Sequence, residues 1–148
     1  MVNKFGSVLL QCRFTMWRCV DNGSGSATAP RVQVMSFNST FSINVFHLLD
    51  SSPWPDEGLT FVVASSRDKP SPGSYGGYLG LTNATHEANP TPARNHFVAV
   101  EFDTMKQDYD PSDNHVGLNV GSVMSVKTAN LTVFRITTNS SNPTNYTP

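Results

Sequence analysis

Charged residues are scarce in this sequence, and the few that occur are nearly balanced in sign. Of the 148 residues only 14% are charged, the formal net charge is −1 and the isoelectric point is about 6.4. A surface that binds nucleic acid or an anionic membrane needs clustered Lys and Arg. This composition does not supply such a cluster, so we expect no nucleic acid among the partners.

Long apolar runs and helix-like patterns are also lacking. The longest apolar runs, such as residues 61–64, are far shorter than the roughly 20 residues that a transmembrane helix needs. No long window keeps the apolar period of an amphipathic helix. Ser, Thr, Asn, Gly and Pro are abundant instead, as is typical of short strands joined by turns. We therefore expect one small domain, rich in strands, with no membrane segment.

Cysteine is rare, and the N-terminal segment does not resemble a signal peptide. Cys12 and Cys19 either pair or stay as free thiols, and the sequence does not decide between the two. Residues 1–20 lack a small-residue cleavage pattern. Acceptor sequons for N-glycosylation nevertheless occur at Asn22, Asn38, Asn83, Asn130, Asn139 and Asn145. On balance we expect an extracellular or cell-surface location.

Short apolar segments alternate with polar loops along most of the chain. They predict strands over residues 35–45, 58–64, 78–81, 97–105, 115–126 and 129–136. Many strands with polar turns and no helical crossover favour an antiparallel sandwich or barrel. We expect its core to contain Phe37, Phe41, Ile43, Phe61, Val63, Leu79, Leu81, Val98, Val100 and Phe102.

The most informative stretch is an acidic strand and the loop that follows it. Glu101 and Asp103 share one face of the predicted strand, because alternate side chains of a strand point the same way. Two neighbouring carboxylates repel each other unless a cation compensates them. A hairpin would bring Asp110 and His115 back toward this pair. Carboxylates with one imidazole suit Mn²⁺ or a similar ion, whereas oxygen ligands, including Gln107, suit Ca²⁺.

Two other interpretations of the carboxylates remain open. They are polar residues at a strand end, or they are the acid and base of a glycoside hydrolase. The second interpretation is the weakest, because the sequence places no further acid across a cleft from Glu101 and Asp103.

These residues belong to a set of motifs that resembles a known family. The motifs VAVEFDT, DPSDNHVGLNVGSVMSV, SFNSTFSINVF, EGLTFVVAS and GGYLGLTN are similar, in order, to segments of legume lectins and of the L-type lectin domains of plant receptor kinases. The resemblance covers about residues 34–136. It implies an all-β, antiparallel jelly-roll sandwich of the concanavalin-A-like lectin fold, here incomplete. It also implies reversible carbohydrate binding without catalysis, so the chain is not expected to be an enzyme.

The resemblance divides the chain into three segments. Residues 1–30 form an unmatched N-terminal segment and linker, residues 31–136 a partial legume-lectin-type domain, and residues 137–148 a disordered tail. In this interpretation the partner is a carbohydrate or glycoconjugate, and packing of sheets permits a homodimer. A rival interpretation is a lectin-fold remnant with a structural or interaction role that binds no sugar.

The resemblance also implies a set of metal ligands. The transition-metal ligands would be Glu101, Asp103, Asp110 and His115, with Ser125 reaching the ion through water. The calcium ligands would be Asp103, Asp110, the backbone carbonyl of Met105 and the side chain of Gln107. Calcium would fix the loops that contact the sugar.

The sugar site that the resemblance implies is only partly matched. The family uses an Asp, a glycine N–H, an Asn and an aromatic ring, and only the glycine matches, at Gly77. Glu57 stands at the Asp position, with Asp56 one residue before it. Gln107 replaces the Asn and Met105 replaces the aromatic ring, which loses its flat π-face. We therefore expect weak sugar binding.

Overall fold

The computed structural model describes residues 6–8, 13–20, 31–41, 57–89 and 96–138. Its strands are β1 (Trp17–Val20), β2 (Arg31–Val34), β3 (Gly58–Ala64), β4 (Phe97–Asp103), β5 (His115–Val120) and β6 (Lys127–Asn130). One short helix, α1, spans Ala84–Ala88, and 3₁₀ turns span Gly76–Tyr78 and Leu131–Phe134. None of the helices in these ranges is long and apolar enough to cross a membrane.

The chain divides into two compact units. The smaller one, residues 9–43, contains a two-stranded antiparallel ribbon in which Trp17 lies opposite Val34. In this ribbon Arg18 Nε donates a 2.7 Å hydrogen bond to Gln33 Oε1. The larger unit, residues 1–8 and 44–148, contains a four-stranded sheet in the order β3-β4-β5-β6.

Every neighbouring pair in the four-stranded sheet is antiparallel, and its register determines where the polar residues lie. Asp103 lies opposite Gly58 on β3 and opposite His115 on β5. His115 in turn lies opposite Asn130 on β6. Because directly opposite residues point to the same face of a sheet, Asp103, His115 and Asn130 form one row at the end of the sheet. Glu101, two residues before Asp103, points to that face as well.

The prediction that the apolar side of β4 faces the core is wrong for this structure. Glu101 on the polar side is 1% exposed, whereas Val98 and Val120 on the apolar side are 44% and 52% exposed. The physical reason is that the segment between β3 and β4 lies over the polar side. Thr60, which shares this side, donates from Oγ1 to the Leu79 carbonyl at 3.3 Å. Burial therefore favours the face that carries the acids.

Three other element predictions also differ from the structure. The segment 78–81 is a turn and not a strand, because Gly76 and Gly80 adopt positive φ angles of 64° and 74°. The last predicted strand stops at Asn130, whose side chain accepts from Thr132 N at 2.9 Å and begins a 3₁₀ turn. Residues 36–41 are not in a strand, and Phe37 and Phe41 are exposed. The predicted core residue Ile43 lies outside the described residues.

The helix α1 and the strands β1 and β2 form where the sequence predicted none. The helix α1 begins at Asn83, whose side-chain oxygen accepts from His86 N at 2.9 Å. Asn is a good helix N-cap because its side chain satisfies a backbone N–H that has no partner inside the helix. The strand β1 lies within the first thirty residues. The predicted boundaries of the three segments stay predictions.

A candidate metal centre beside a glycine loop

The end of the four-stranded sheet carries a compact loop between β4 and β5. Asp103, the last residue of β4, accepts from the Met105 N–H through Oδ1 at 2.8 Å. Asp110 accepts from the Gln107 N–H through Oδ2 at 2.7 Å, and its own N–H donates to the Gln107 carbonyl at 3.1 Å. These short-range bonds are the turn chemistry for which Asp is favoured. They fold the loop back so that Asp110 approaches the residues of the sheet.

Glu101, Asp110 and His115 meet at this point. Each offers a ligand atom, and these atoms all lie within 4.8 Å of one another. His115 Nε2 is 3.3 Å from Glu101 Oε1 and 3.9 Å from Asp110 Oδ1. All three residues are buried. Two carboxylates and one imidazole in this arrangement match the ligand types of Mn²⁺ and similar ions.

The hydrogen bonds of His115 indicate that its Nε2 atom can act as a ligand. Nδ1 lies 2.8 Å from the Ser112 carbonyl, which can only accept, so the proton is assigned to Nδ1. In the neutral ring Nε2 then presents a lone pair to the oxygen of Glu101. Two lone pairs that face each other in a buried site need a proton or a cation between them. Metal-binding histidines commonly have their other ring nitrogen fixed in this way.

Asp103 adds a third buried acid to the group. Burial is the largest effect on its carboxyl, and together with the nearby Asp110 and Glu101 it raises the pKa to about 7. The Met105 N–H and the His115 ring act in the opposite direction but do not offset it. A cation close to Asp103 would favour the charged form and would lower this pKa.

Two residues of the neighbouring strands and loop shape the space around Glu101. Ser125 donates from Oγ to Glu101 Oε1 at 2.6 Å, so it contacts the carboxylate directly. Gly117 lies opposite Glu101 on β5. A Cβ atom at position 117 would overlap the Ser125 hydroxyl and the Glu101 carboxylate. Only glycine leaves room for this hydrogen bond.

The sugar half of the predicted site is centred on Gly77. A Cβ at position 77 would lie 2.8 Å from the Gln107 side chain and 3.1 Å from the Tyr109 hydroxyl, so both side chains lie close to Gly77. The Gln107 amide also donates from Nε2 to Glu57 Oε2 at 2.9 Å. Glu57, Gly77 and Gln107 are thus brought together as predicted, and two of them are hydrogen-bonded to each other. Whether the site binds metal or sugar stays a prediction at this point.

The other predicted site residues are Met105, Asp56 and Ser125. Met105 follows β4 and is 37% exposed, and its N–H donates to Asp103 Oδ1. Asp56 lies outside the described residues. Ser125 contacts Glu101, and its predicted role of reaching the ion through water stays a prediction.

Two residues at the site make hydrogen bonds that the sequence did not predict. Tyr109 donates from its hydroxyl to the Gly77 carbonyl at 2.7 Å. Asn114, next to His115, donates to Thr132 Oγ1 and to the Ile136 carbonyl, at 2.9 and 2.8 Å. Asn114 Oδ1 also accepts from both the N–H and the hydroxyl of Thr138, at 3.0 and 2.7 Å. Both residues act through long-range contacts, for which the sequence pattern carries no signal.

Known proteins similar to this chain include receptor kinases and agglutinins of plants. A probable L-type lectin-domain containing receptor kinase S.7 of Arabidopsis thaliana is 41% identical over 96 residues, which are 64% of this chain and 13% of the kinase. The basic agglutinin of Psophocarpus tetragonolobus is 38% identical over 100 residues, or 68% of this chain and 37% of the agglutinin. The chain thus spans about a third of the agglutinin and much less of the kinase.

The chain was also compared with solved structures and with models of protein families. A Lotus tetragonolobus seed lectin is similar with a TM-score of 0.44 and 35% identity, over 55% of this chain and 34% of that lectin. The legume lectin domain model matches residues 1–147, which include the first thirty residues. The chain therefore belongs to the legume lectin domain family, and the predicted fold class, an incomplete all-β antiparallel jelly-roll sandwich, is confirmed.

Proposed function

We propose that this chain binds carbohydrate reversibly and that bound Mn²⁺ and Ca²⁺ organise the binding loops. The observation that carries the proposal is the buried group of Glu101, Asp110 and His115, whose ligand atoms all lie within 4.8 Å of one another. Asp110 of this group lies on the same β4–β5 loop as Gln107, whose side chain would contact a Cβ at position 77. Metal and sugar positions are therefore adjacent in the chain and in space.

The ligand atoms divide between the two ions according to their chemistry. In this proposal Glu101, Asp103, Asp110 and His115 hold the transition metal, because this set combines carboxylates with an imidazole. Asp103, Asp110, the Met105 carbonyl and the Gln107 amide oxygen hold calcium, which prefers oxygen ligands. Ser125 would assist at the Glu101 side. The ions would supply positive charge to a buried acidic site and would stabilise the loop from Met105 to Asp110.

In this proposal the sugar contacts residues of the β4–β5 loop and of the segments beside it. Glu57 would accept hydrogen bonds from sugar hydroxyls, the Gly77 N–H and the Gln107 amide would donate them, and Asp56 and Met105 would flank the ligand. The proposed activity is binding without chemistry. The proposed setting is extracellular or at the cell surface, as the name of the receptor-kinase relative suggests.

The direct test combines metal titration with a glycan array. Calorimetry with Mn²⁺ and Ca²⁺ should show uptake of both ions, and array binding should appear with the ions and disappear with EDTA. Metal uptake without any array signal would remove the sugar half of the proposal. Array binding that EDTA does not affect would remove the metal half. Turnover of an aryl glycoside would show instead that the chain is an enzyme.

A second candidate function is a lectin-fold remnant that binds metal and no sugar. The hydrogen bond between Gln107 Nε2 and Glu57 Oε2 favours it, because two groups that should meet the sugar are paired with each other. A sugar would have to break the bond between Gln107 and Glu57 before it could bind both side chains. The loss of this bond would offset part of the free energy gained from the new hydrogen bonds. The array with the ions present decides between the two candidates.

A further inference from the structure

Two side chains of the β4–β5 loop, Tyr109 and Gln107, lie against the glycine loop at residues 74–81. Tyr109 donates from its hydroxyl to the Gly77 carbonyl at 2.7 Å. The same hydroxyl would lie 3.1 Å from a Cβ at position 77, and the Gln107 side chain would lie closer still. Gln107 also donates to Glu57. Of these contacts only the one from Tyr109 acts on the backbone of the glycine loop through a hydrogen bond.

The glycine loop combines positive φ angles with a short 3₁₀ turn. It contains Gly76 and Leu79 at positive φ angles of 64° and 51°, the second of which is unfavourable for a residue with a side chain. Its 3₁₀ turn is only three residues long, and Tyr75 at its start provides no side-chain cap. The bond from Leu79 N to the Gly76 carbonyl, at 2.8 Å, closes the turn. So short a turn contributes little stability of its own.

We propose that Tyr109 is a positioning residue that couples the metal-binding loop to the glycine loop. Its neighbour Asp110 belongs to the proposed metal group, and its hydroxyl holds the Gly77 carbonyl. When the ions order residues 105–110, Tyr109 transmits that order to the Gly76–Tyr78 turn and fixes the Gly77 N–H for the ligand. The inference rests on the proposed function for its ligand, but the contact itself can be tested without sugar.

Tyr109→Phe is the appropriate variant, because it removes the hydroxyl and keeps the ring. Tyr75→Phe is the matched control, since Tyr75 is a similarly exposed tyrosine at the start of the same turn. Both proteins should fold and should take up Mn²⁺ and Ca²⁺ within about twofold of the parent. Losing a hydrogen bond worth about 1 kcal/mol corresponds to a factor of roughly five.

The first measurement is amide hydrogen exchange of residues 76–81 with and without the ions. In the parent the ions should slow this exchange, and in Tyr109→Phe exchange should be about fivefold faster and nearly insensitive to the ions. Exchange in β4 and β5 should be unchanged, and Tyr75→Phe should behave like the parent. Equal exchange in all three proteins, or full retention of the ion effect in Tyr109→Phe, would overturn the coupling role.

The second measurement is affinity for the best glycan of the array, which should fall about fivefold in Tyr109→Phe alone. An unchanged affinity, in a protein that does bind sugar, would also overturn the proposal. If the parent takes up ions but binds no glycan, the proposed sugar function fails and the exchange measurement still decides the role of Tyr109. If the parent takes up no ion, the proposed metal function fails. Exchange of residues 76–81 in Tyr109→Phe then still tests whether Tyr109 holds the glycine loop.

Discussion

The two halves of the candidate site differ in how their side chains are satisfied. In the metal half the groups are buried and crowded, with His115 Nε2 3.3 Å from Glu101 Oε1. In the sugar half Gln107 and Glu57 are hydrogen-bonded to each other, and the surrounding residues are more exposed. The first half therefore collects buried ionisable groups that suit a cation, whereas two polar side chains of the second half already satisfy each other. This difference makes metal uptake the more robust expectation and sugar affinity the more sensitive one.

The largest effect is expected from removing the carboxylate that both proposed ions share. Asp103→Ala should abolish measurable uptake of Mn²⁺ and Ca²⁺, because each site loses a charged ligand. His115→Ala should weaken only the transition-metal site. Asp108→Ala, which removes an exposed acid from the same loop, should leave both ions bound. Calorimetry measures all three, and an Asp103→Ala protein that still takes up both ions would contradict the assignment.

A pH titration tests whether the metal half lacks a compensating charge. Asp103 has a pKa of about 7 in the folded protein against 3.8 ordinarily, so between these values the folded state holds more protons than the unfolded state. The free energy of unfolding of the ion-free protein should therefore fall as the pH rises from 4 to 7, by at most about 4 kcal/mol. Urea unfolding at several pH values measures this decrease.

The same titration has an internal control. Asp103→Asn removes the titrating group and should flatten that part of the pH profile. Ion uptake below pH 7 should also release protons from the parent, which calorimetry in buffers of different ionisation enthalpy detects. A parent whose stability rises steadily from pH 4 to 7 would show that Asp103 is charged without a cation.

The close packing at Glu101 predicts a smaller effect on stability. Gly117→Ala should destabilise the fold by about 1–3 kcal/mol, because the added methyl group overlaps Ser125 and Glu101. Gly6→Ala is the control, since a Cβ at that position meets nothing within 4 Å. Denaturant unfolding compares the two. A Gly117→Ala protein as stable as the parent would mean that Ser125 is free to move away from Glu101.

The smallest effect is expected in the sugar half. Glu57→Asp, Gln107→Asn and Met105→Phe together should raise affinity for a simple hexose about tenfold when calcium is present. The shorter side chains should weaken the pairing of positions 57 and 107, and the new ring can stack on the sugar, which contributes on the order of 1 kcal/mol. The array and calorimetry with the best hexose measure the gain. If the triple variant folds and holds calcium but binds no better, these three residues do not limit affinity.

The sequence predicted the strands of the site better than the burial around it. Local alternation was enough to place Glu101 and Asp103 on one face of β4, and a hairpin to His115 followed from the polar loop between them. The alternation of apolar and polar residues does not determine which face of the sheet is buried, because burial depends on what packs against the sheet. The segment before β4 covers the acidic face, so Val98 is exposed and Val100 and Phe102 are only half-buried, contrary to the prediction.

Contacts between residues that are far apart in the sequence could not be predicted either. The bond between Tyr109 and Gly77 joins positions 32 residues apart, and the bond between Gln107 and Glu57 joins positions 50 apart. Neither produces a local pattern. The segment 78–81 was predicted as a strand because its apolar residues dominated the interpretation. The positive φ angles that the glycines permit were the better signal there.

Asn114 has a practical consequence for fragment design. Its side chain makes four hydrogen bonds to Thr132, Ile136 and Thr138, and it is buried directly beside His115. A fragment that ended at β6 would leave this amide without these partners, next to a proposed metal ligand. Buried amides without partners are costly. An expression fragment intended to keep the metal group should therefore extend at least to Thr138, and a protease cut between Asn130 and Thr138 should inactivate it.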